Sequence, residues 1–262
     1  MIDGHIHLEN GSLTKEYVLE FVEEANKKGI SQIQILDHTH RFIEFEPIYK
    51  ELKEYEVQKT WLENKKMKFK DHVQDFIELM QSIKAMDLPV KVTYGLEVCY
   101  VPQHESYIRD VLSRYQFDFI VGAIHSVDGI LYDMGFSKEL LWSQYDVNHI
   151  YKRYYELVCQ LIESDLFTQL AHPDQIKLFE IYPTYDLKPT YEKIAQLLNE
   201  HHMKAENNVG CYYRYNHPDM GISDELLNIF KENHVELITT SDAHKPSDVG
   251  SYIKEATLRN NR

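Results

Sequence analysis

The stretch Ile2-Asp3-Gly4-His5-Ile6-His7-Leu8 decides how the rest of the chain is read. Its composition predicts a β-strand, and because successive side chains of a strand point to opposite faces, His5 and His7 share one face, one pleat apart. Two imidazoles therefore leave one strand end in the same direction. Working outward, six further β-rich runs follow: Ser31–Asp37, Val90–Glu97, Asp118–His125, Phe167–His172, Lys204–Asn208 and Glu236–Asp242. Helical patterns lie between them. Thr14 can cap a helix that carries Val18, Phe21, Val22 and Ala25 at helical spacing and stops at Gly29, and Pro189–His202 and Ser223–Asn233 repeat the scheme. Strands alternating with helices imply βαβ units and a parallel sheet, an α/β fold.

The longest connection runs from about residue 40 to about residue 88, and its Glu- and Lys-rich part, Glu51–Lys70, has no strand pattern. It is expected to be a helical insertion over the mouth of the fold. No repeat, low-complexity tract or Pro/Gly/Ser-rich linker divides the chain, so residues 1–262 are expected to form a single domain. Composition narrows the function. With 28 Lys plus Arg against 42 Asp plus Glu the net charge is −14, and a polyanion would approach against that field, so nucleic acid is not expected as a partner. Cys99, Cys159 and Cys211 lack the paired spacing of a disulfide framework or a thiolate zinc site, which suits a reducing, cytoplasmic setting. No apolar run approaches membrane-spanning length, so no membrane partner is expected.

In parallel α/β folds the carboxyl ends of the strands open on one face, where the following loops gather. The predicted strand ends read His5-Ile-His7, Asp37-His38, Glu97, His125, His172 and Asp242-Ala-His244. Six of the seven runs thus end in an imidazole or a carboxylate. Any one of these alone reads best as a hydrogen-bonded turn residue or a solvated strand terminus. Together, six His, one Glu and one Asp are too many charges to bury without compensation, and metal ions resolve that cost. Imidazole and carboxylate without thiolate suit zinc, manganese or iron, and eight ligands exceed the need of one tetrahedral ion, so two or three divalent ions are expected.

In this order, HxH, DH, a lone Glu, IHS (124–126), AHPD (171–174) and SDAH (241–244) resemble the polymerase and histidinol phosphatase (PHP) superfamily across nearly the whole chain. The segments Asp118–Gly129 and Ser241–Gly250 are similar to its histidinol-phosphate phosphatase branch. The resemblance implies a distorted (β/α)7 barrel with up to three metal ions. It places His5, His7, Glu97 and Asp242 around one ion, Glu97 as a bridge with His125 and His172 around a second, and His38 with His244 at a third. Family members often carry a further His after the first strand, where this chain has Leu13. The nearest polar candidates are Glu9, Asn10 and His40; His40 or Glu9 is the expected substitute, and without one the third ion is expected to be weak and readily lost. Arg214 and Lys177 are implied as phosphate-binding residues, and Asp242, Glu97 and His244 as the catalytic ones.

The expected activity is metal-dependent hydrolysis of a small phosphate monoester, L-histidinol phosphate to L-histidinol and phosphate in histidine biosynthesis, by a hydroxide held between ions that Glu97 bridges. Three alternatives follow from the same residues. A related phosphoesterase would act on another monoester, a nucleotide or a phosphodiester. An amidohydrolase would need an eight-unit barrel and a metal-bridging Lys. A non-enzymatic metal-holding protein would close its site to water.

Overall fold

The computed structural model describes residues 1–64 and 66–261. Nine strands appear among them: β1 (Ile2–His7), β2 (Gln32–Leu36), β3 (Lys91–Cys99), β4 (Phe119–Ala123), β5 (Ser126–Val127), β6 (Ile130–Leu131), β7 (Gln169–Leu170), β8 (Lys204–Asn208) and β9 (Leu237–Thr240). Seven of them form one sheet in the order β1-β2-β3-β4-β7-β8-β9, every neighbouring pair parallel. The sheet curls until its edges meet. Ile6 bridges Ala243 in parallel sense just past β9, with His7 N–H donating to Ala243 O at 2.8 Å. Asp3 fastens the same seam, accepting from Ser241 N–H (2.8 Å), Ser241 Oγ (2.6 Å) and Gly250 N–H (2.8 Å). The outcome is a nearly closed seven-stranded parallel barrel with its helices outside, the (β/α)7 arrangement expected above.

The helices form for local reasons that the sequence states. In α1 (Lys15–Lys27) the Thr14 hydroxyl accepts from Tyr17 N–H at 3.3 Å, Val18, Phe21, Val22 and Ala25 are buried, and Gly29 follows at φ +71°. A side chain is disfavoured at that φ, and glycine is not. The remaining helices are α2 (Glu56–Leu62), α3 (Val73–Lys84), α4 (Glu105–Leu112), α5 (Val147–Glu163), α6 (Lys188–Glu200), α7 (Gly210–Tyr215), α8 (Asp224–Glu232) and α9 (Ile253–Asn260). In α8 the Ser223 hydroxyl caps Leu226 N–H, and Leu226, Leu227, Ile229 and Phe230 are buried.

Several strands are shorter than the sequence suggests, two of them for reasons visible in the backbone. The run Asp118–His125 stops pairing at Ala123, because the chain turns there into the β5–β6 hairpin. The run Phe167–His172 keeps only two strand residues. His172 adopts φ +23° and Pro173 follows it, and neither can extend a ladder. Between β2 and β3 the chain makes three short 3₁₀ turns (Thr39–Arg41, Ile43–Tyr49 and Glu51–Glu54), then α2 and α3. Arg41, only 1% exposed, pins this segment to the barrel: its guanidinium donates to Asp37 Oδ2 (2.7 Å), Asp71 Oδ2 (2.6 Å), Leu8 O (2.9 Å) and Gly11 O (3.0 Å). Gln58 of α2 ties the same segment to the hairpin, donating to Gly129 O and accepting from Leu131 N–H. Thus Tyr49, Trp61 and Lys68 come to line the cavity at the carboxyl ends of the strands.

Candidate metal centre

The barrel delivers the strand ends to one place. His5 and His7 are fully buried, and their Nε2 atoms approach to 2.8 Å. The pairing of β1 with β2 slips between Asp3 and Ile6, where Gly4 and His5 oppose Gln34 alone; such a bulge redirects side chains beside a site. Glu97, at the end of β3 and 1% exposed, sits among five imidazoles. Its Oε1 lies 3.0 Å from His172 Nε2 and 3.4 Å from His125 Nε2. Its Oε2 lies 3.0 Å from His38 Nε2 and 3.5 Å from both His5 Nε2 and His7 Nε2. Asp242 faces it with Oδ1 3.4 Å from His7 Nε2, 3.8 Å from His5 Nε2 and 3.1 Å from His244 Nε2.

Asp242 and His172 both have positive φ, +57° and +23°. A non-glycine residue held there stores backbone strain, and such strain gathers at functional sites. Gly210 makes room for Asp242, since a Cβ at that position would meet Asp242 Oδ2 at 2.7 Å.

The electrostatics hold both carboxylates of the centre ionised. Burial pushes the Glu97 carboxyl up, yet His38, His5 and His125 hold it well below the usual carboxylate range. Asp242, likewise penalised by burial, is held well below its ordinary value by the Arg214 guanidinium, His244 and His7. Burial and the neighbouring His7 push His38 down to about 4, against the opposing pull of Glu97 and Glu9. His244 resists its burial and is raised to about 9 by Asp242 and Glu9.

Whether these residues fit metal ions can be judged from what they leave unpaired. Glu97 Oε2, His7 Nδ1, His172 Nδ1 and Asp37 Oδ1 are buried with no hydrogen-bond partner among the described residues. Orphaned polar atoms in such numbers are rare, and here they surround a core of lone pairs aimed at one another. His5 Nδ1–H donates to Glu206 Oε1 at 2.8 Å, which turns the His5 Nε2 lone pair toward His7 and Glu97. A carboxylate behind a histidine in this way fixes the tautomer of a metal-ligating imidazole. The donor atoms of His5, His7 and Glu97, of His7, Asp242 and His244, and of His38, Glu97 and His125 each lie within 4.8 Å of one another, close enough to share an ion. The donor set therefore fits hard or borderline divalent cations. Cys211 adds no thiolate, because burial pushes its thiol up to about 12 and its Sγ turns to Gln175 Oε1.

Glu9, rather than a histidine after β1, connects the two residues expected at a third ion. Its Oε2 lies 3.1 Å from His38 Nδ1, and its Oε1 binds His244 Nδ1. Asn10 turns away and donates to His244 O. His40 stacks on His38 at 4.6 Å between ring centroids, and its donor atoms group with those of Glu9 and His38. Lys68 Nζ approaches His40 Nε2 to 2.9 Å, and burial together with that cation pushes His40 well down.

The two cations expected to bind phosphate part company. Arg214 of α7 lines the cavity, with Nη1 3.3 Å from Asp242 Oδ2. Lys177 does not reach it. The 3₁₀ turn Gln175–Phe179 carries it inward, where it is 4% exposed and its Nζ is held by Asp174 Oδ2 (2.8 Å), Asp219 Oδ2 (3.0 Å) and Gly221 O (2.9 Å). The family resemblance implied this lysine at the site, and its burial against two aspartates takes it away from the cavity. The second cation that does line the cavity is Lys68, which lies over the Trp61 ring at 4.0 Å and contacts His40. Sequence reading also passed over Glu206, an inward-facing carboxylate within β8, and Asp133, which lines the cavity beyond the hairpin. The Asn-Asn that follows Glu206 in a buried strand was the available signal for the former.

The cavity holds about 220 Å³ and opens at the mouth of the barrel. Chemically, the arrangement can hold multivalent cations at its floor and an anion between Arg214 and Lys68 above them.

Comparison with known proteins agrees with the geometry. The family model described as PHP domain matches residues 3–210. A probable histidinol-phosphatase of Deinococcus radiodurans is 27% identical over 171 residues, 63% of this chain and 62% of that protein. The histidinol-phosphatase of Bacillus subtilis is 25% identical over 278 residues, covering 98% of this chain and 97% of that protein. Among solved structures, a putative histidinol phosphatase from Listeria monocytogenes superposes with a TM-score of 0.74 at 18% identity, covering 97% of this chain and 99% of that one. The histidinol phosphate phosphatase of Lactococcus lactis, solved with zinc, L-histidinol and phosphate, gives 0.67 at 16% identity, over 97% and 93% of the two chains. At these identities the two structures attest the fold.

Proposed function

Because this chain belongs to the PHP domain family, we propose that it is a metal-dependent phosphomonoesterase that hydrolyses L-histidinol phosphate to L-histidinol and phosphate. The observation that carries the reading is the buried, unpaired donor set around Glu97, at the floor of a cavity whose walls carry two cations. His5, His7, Glu97 and Asp242 would hold one divalent ion, Glu97 with His125 and His172 a second, and His38 and His244 with Glu9 a third. Zinc, manganese or iron in those positions would supply Lewis acidity that activates water at neutral pH and offsets the charge developing on the phosphoryl group.

The chain's own side chains do the rest. Arg214 presents a planar fork of donors that suits two phosphate oxygens, and its contact with Asp242 fixes the fork toward the cavity. Lys68 faces the cavity as a point charge, steadied by the Trp61 ring and by His40, which is kept neutral. Glu206 holds His5 in one tautomer. The segment bearing Tyr49, Trp61 and Lys68 forms a wall of the cavity. Lys177 serves as a structural tether between Asp174 and Asp219. The histidine-biosynthetic setting and a cytoplasmic location follow from this reading and are proposed with it.

Steady-state hydrolysis of L-histidinol phosphate beside a panel of phosphate monoesters, nucleotides and a phosphodiester tests the proposal, with metals stripped and restored singly. Activity should vanish on chelation, return with zinc, manganese or iron, and favour the amino alcohol ester. Arg214→Ala should raise KM for that ester by about 10- to 100-fold, the worth of a charged hydrogen-bond pair. Full activity after complete metal removal would refute the proposal.

A further inference from the structure

Asp133 is a carboxylate that the chemistry above leaves unused. It lines the cavity in the field of His125 and His172, and it has no ion pair and no donor from another residue among the described ones. The contrast with the other acids of the cavity is plain: Glu9 has His38 and His244, Glu97 has its imidazoles, and Asp242 has Arg214.

Asp133 is also held still. Its neighbour Tyr132 is fully buried, donates through its hydroxyl to Ile124 O (2.8 Å) and through its N–H to His125 O (3.3 Å), and accepts at its carbonyl from Trp142 Nε1 (2.8 Å). On the other side Met134 N–H donates to Ser137 Oγ at 3.1 Å. Backbone on both flanks is therefore fixed, and the carboxylate is presented at a set place. Leu131 and Met134 beside it give the cavity an apolar wall. A half-buried carboxylate without a cation carries a desolvation cost that a ligand cation would offset.

We propose that Asp133 receives the ammonium group of the substrate and so restricts the site to phosphate monoesters that carry a protonated primary amine a few bonds from the ester. The inference rests on the phosphomonoesterase reading for its substrate class. The phosphate end of such a molecule meets cations at Arg214 and Lys68, and its ammonium end meets Asp133. A monoester without the amine leaves Asp133 uncompensated, which is how a site rejects a substrate that lacks one polar group.

The test uses the metal-loaded full chain, wild type beside Asp133→Asn and Asp133→Ala, with folding checked by circular dichroism and metal content measured in each. The substrates are L-histidinol phosphate and its des-amino analogue, 3-(imidazol-4-yl)propyl phosphate. In the wild type kcat/KM should favour the amine-bearing ester by about 10- to 100-fold, and in Asp133→Asn that ratio should collapse toward one through KM, with metal content retained. Calorimetric titration of L-histidinol in inorganic phosphate should show the same loss of affinity. An unchanged ratio, an equal fall in kcat for both esters, or equal binding of L-histidinol by wild type and variant would overturn the inference. If the wild type hydrolyses neither ester but binds L-histidinol in an Asp133-dependent way, the phosphatase reading fails and the role of Asp133 stands.

Discussion

Around Arg41 and Lys177 buried charge meets its complement within the protein, whereas at the barrel mouth it is met only in part. Arg41 spends its donors on two aspartates and two carbonyls, and Lys177 on two aspartates and one carbonyl. Around Glu97 imidazole nitrogens and carboxylate oxygens converge, and four buried atoms have no hydrogen-bond partner among the described residues. Both regions are rich in acidic side chains. The first kind is finished when the chain folds and holds segments in place; the second is finished only by something from outside the chain. A cation is the simplest completion where imidazole Nε2 atoms and carboxylate oxygens face one another, as His5 Nε2 and His7 Nε2 do at 2.8 Å.

That difference can be broken by mutation. The largest effect is expected at the unfinished region: Glu97→Gln should lower kcat/KM for a phosphate monoester by at least about 10³-fold, as loss of a charge that organises the metals would, while far-ultraviolet circular dichroism stays native. Retained activity would show that Glu97 belongs with the finished networks. Next come the finished regions themselves. Arg41→Ala strands the buried Asp37 and Lys177→Met the buried Asp174, and each should cost about 3–5 kcal/mol in denaturant unfolding, with KM for the ester changing little. A selective rise in KM for Lys177→Met would restore that lysine to the phosphate site. Glu206→Gln sharpens the boundary between the two, since Glu206 is a protein partner to His5, an imidazole proposed as a metal ligand. We expect a loss of metal affinity of about 10- to 100-fold in a competition assay with a chromophoric chelator, smaller than that caused by losing a ligand outright. Unchanged affinity would make the His5–Glu206 bond a purely structural one.

How far the sequence carried this account depended on periodicity. His5, His7, His38, Glu97, His125, His172, Asp242 and His244 were legible because each follows an apolar run at the carboxyl end of a strand, and a parallel barrel brings those ends together whatever the loops do. The barrel was legible for the same reason, from seven β-rich runs separated by helical patterns. Lys177 was misplaced because distance along the chain from His172 carries no information about direction, and the turn Gln175–Phe179 takes the lysine into the protein. Lys68 lies in a segment of short 3₁₀ turns and loops whose path is set by Arg41 and Gln58, long-range contacts that leave no local pattern. Glu206 was hidden inside a strand rather than at its end. Asp133 follows a hairpin of two-residue strands, too short to show a period.

The central claim is that the orphaned donors around Glu97 form a metal centre, and elemental analysis tests it most directly. The full chain, stripped with chelator, equilibrated with zinc, manganese or iron and freed of excess, should retain two or three ions per chain, and Glu97→Gln should lose them. A wild-type chain that retains none of the three metals, with its fold intact, would contradict the account.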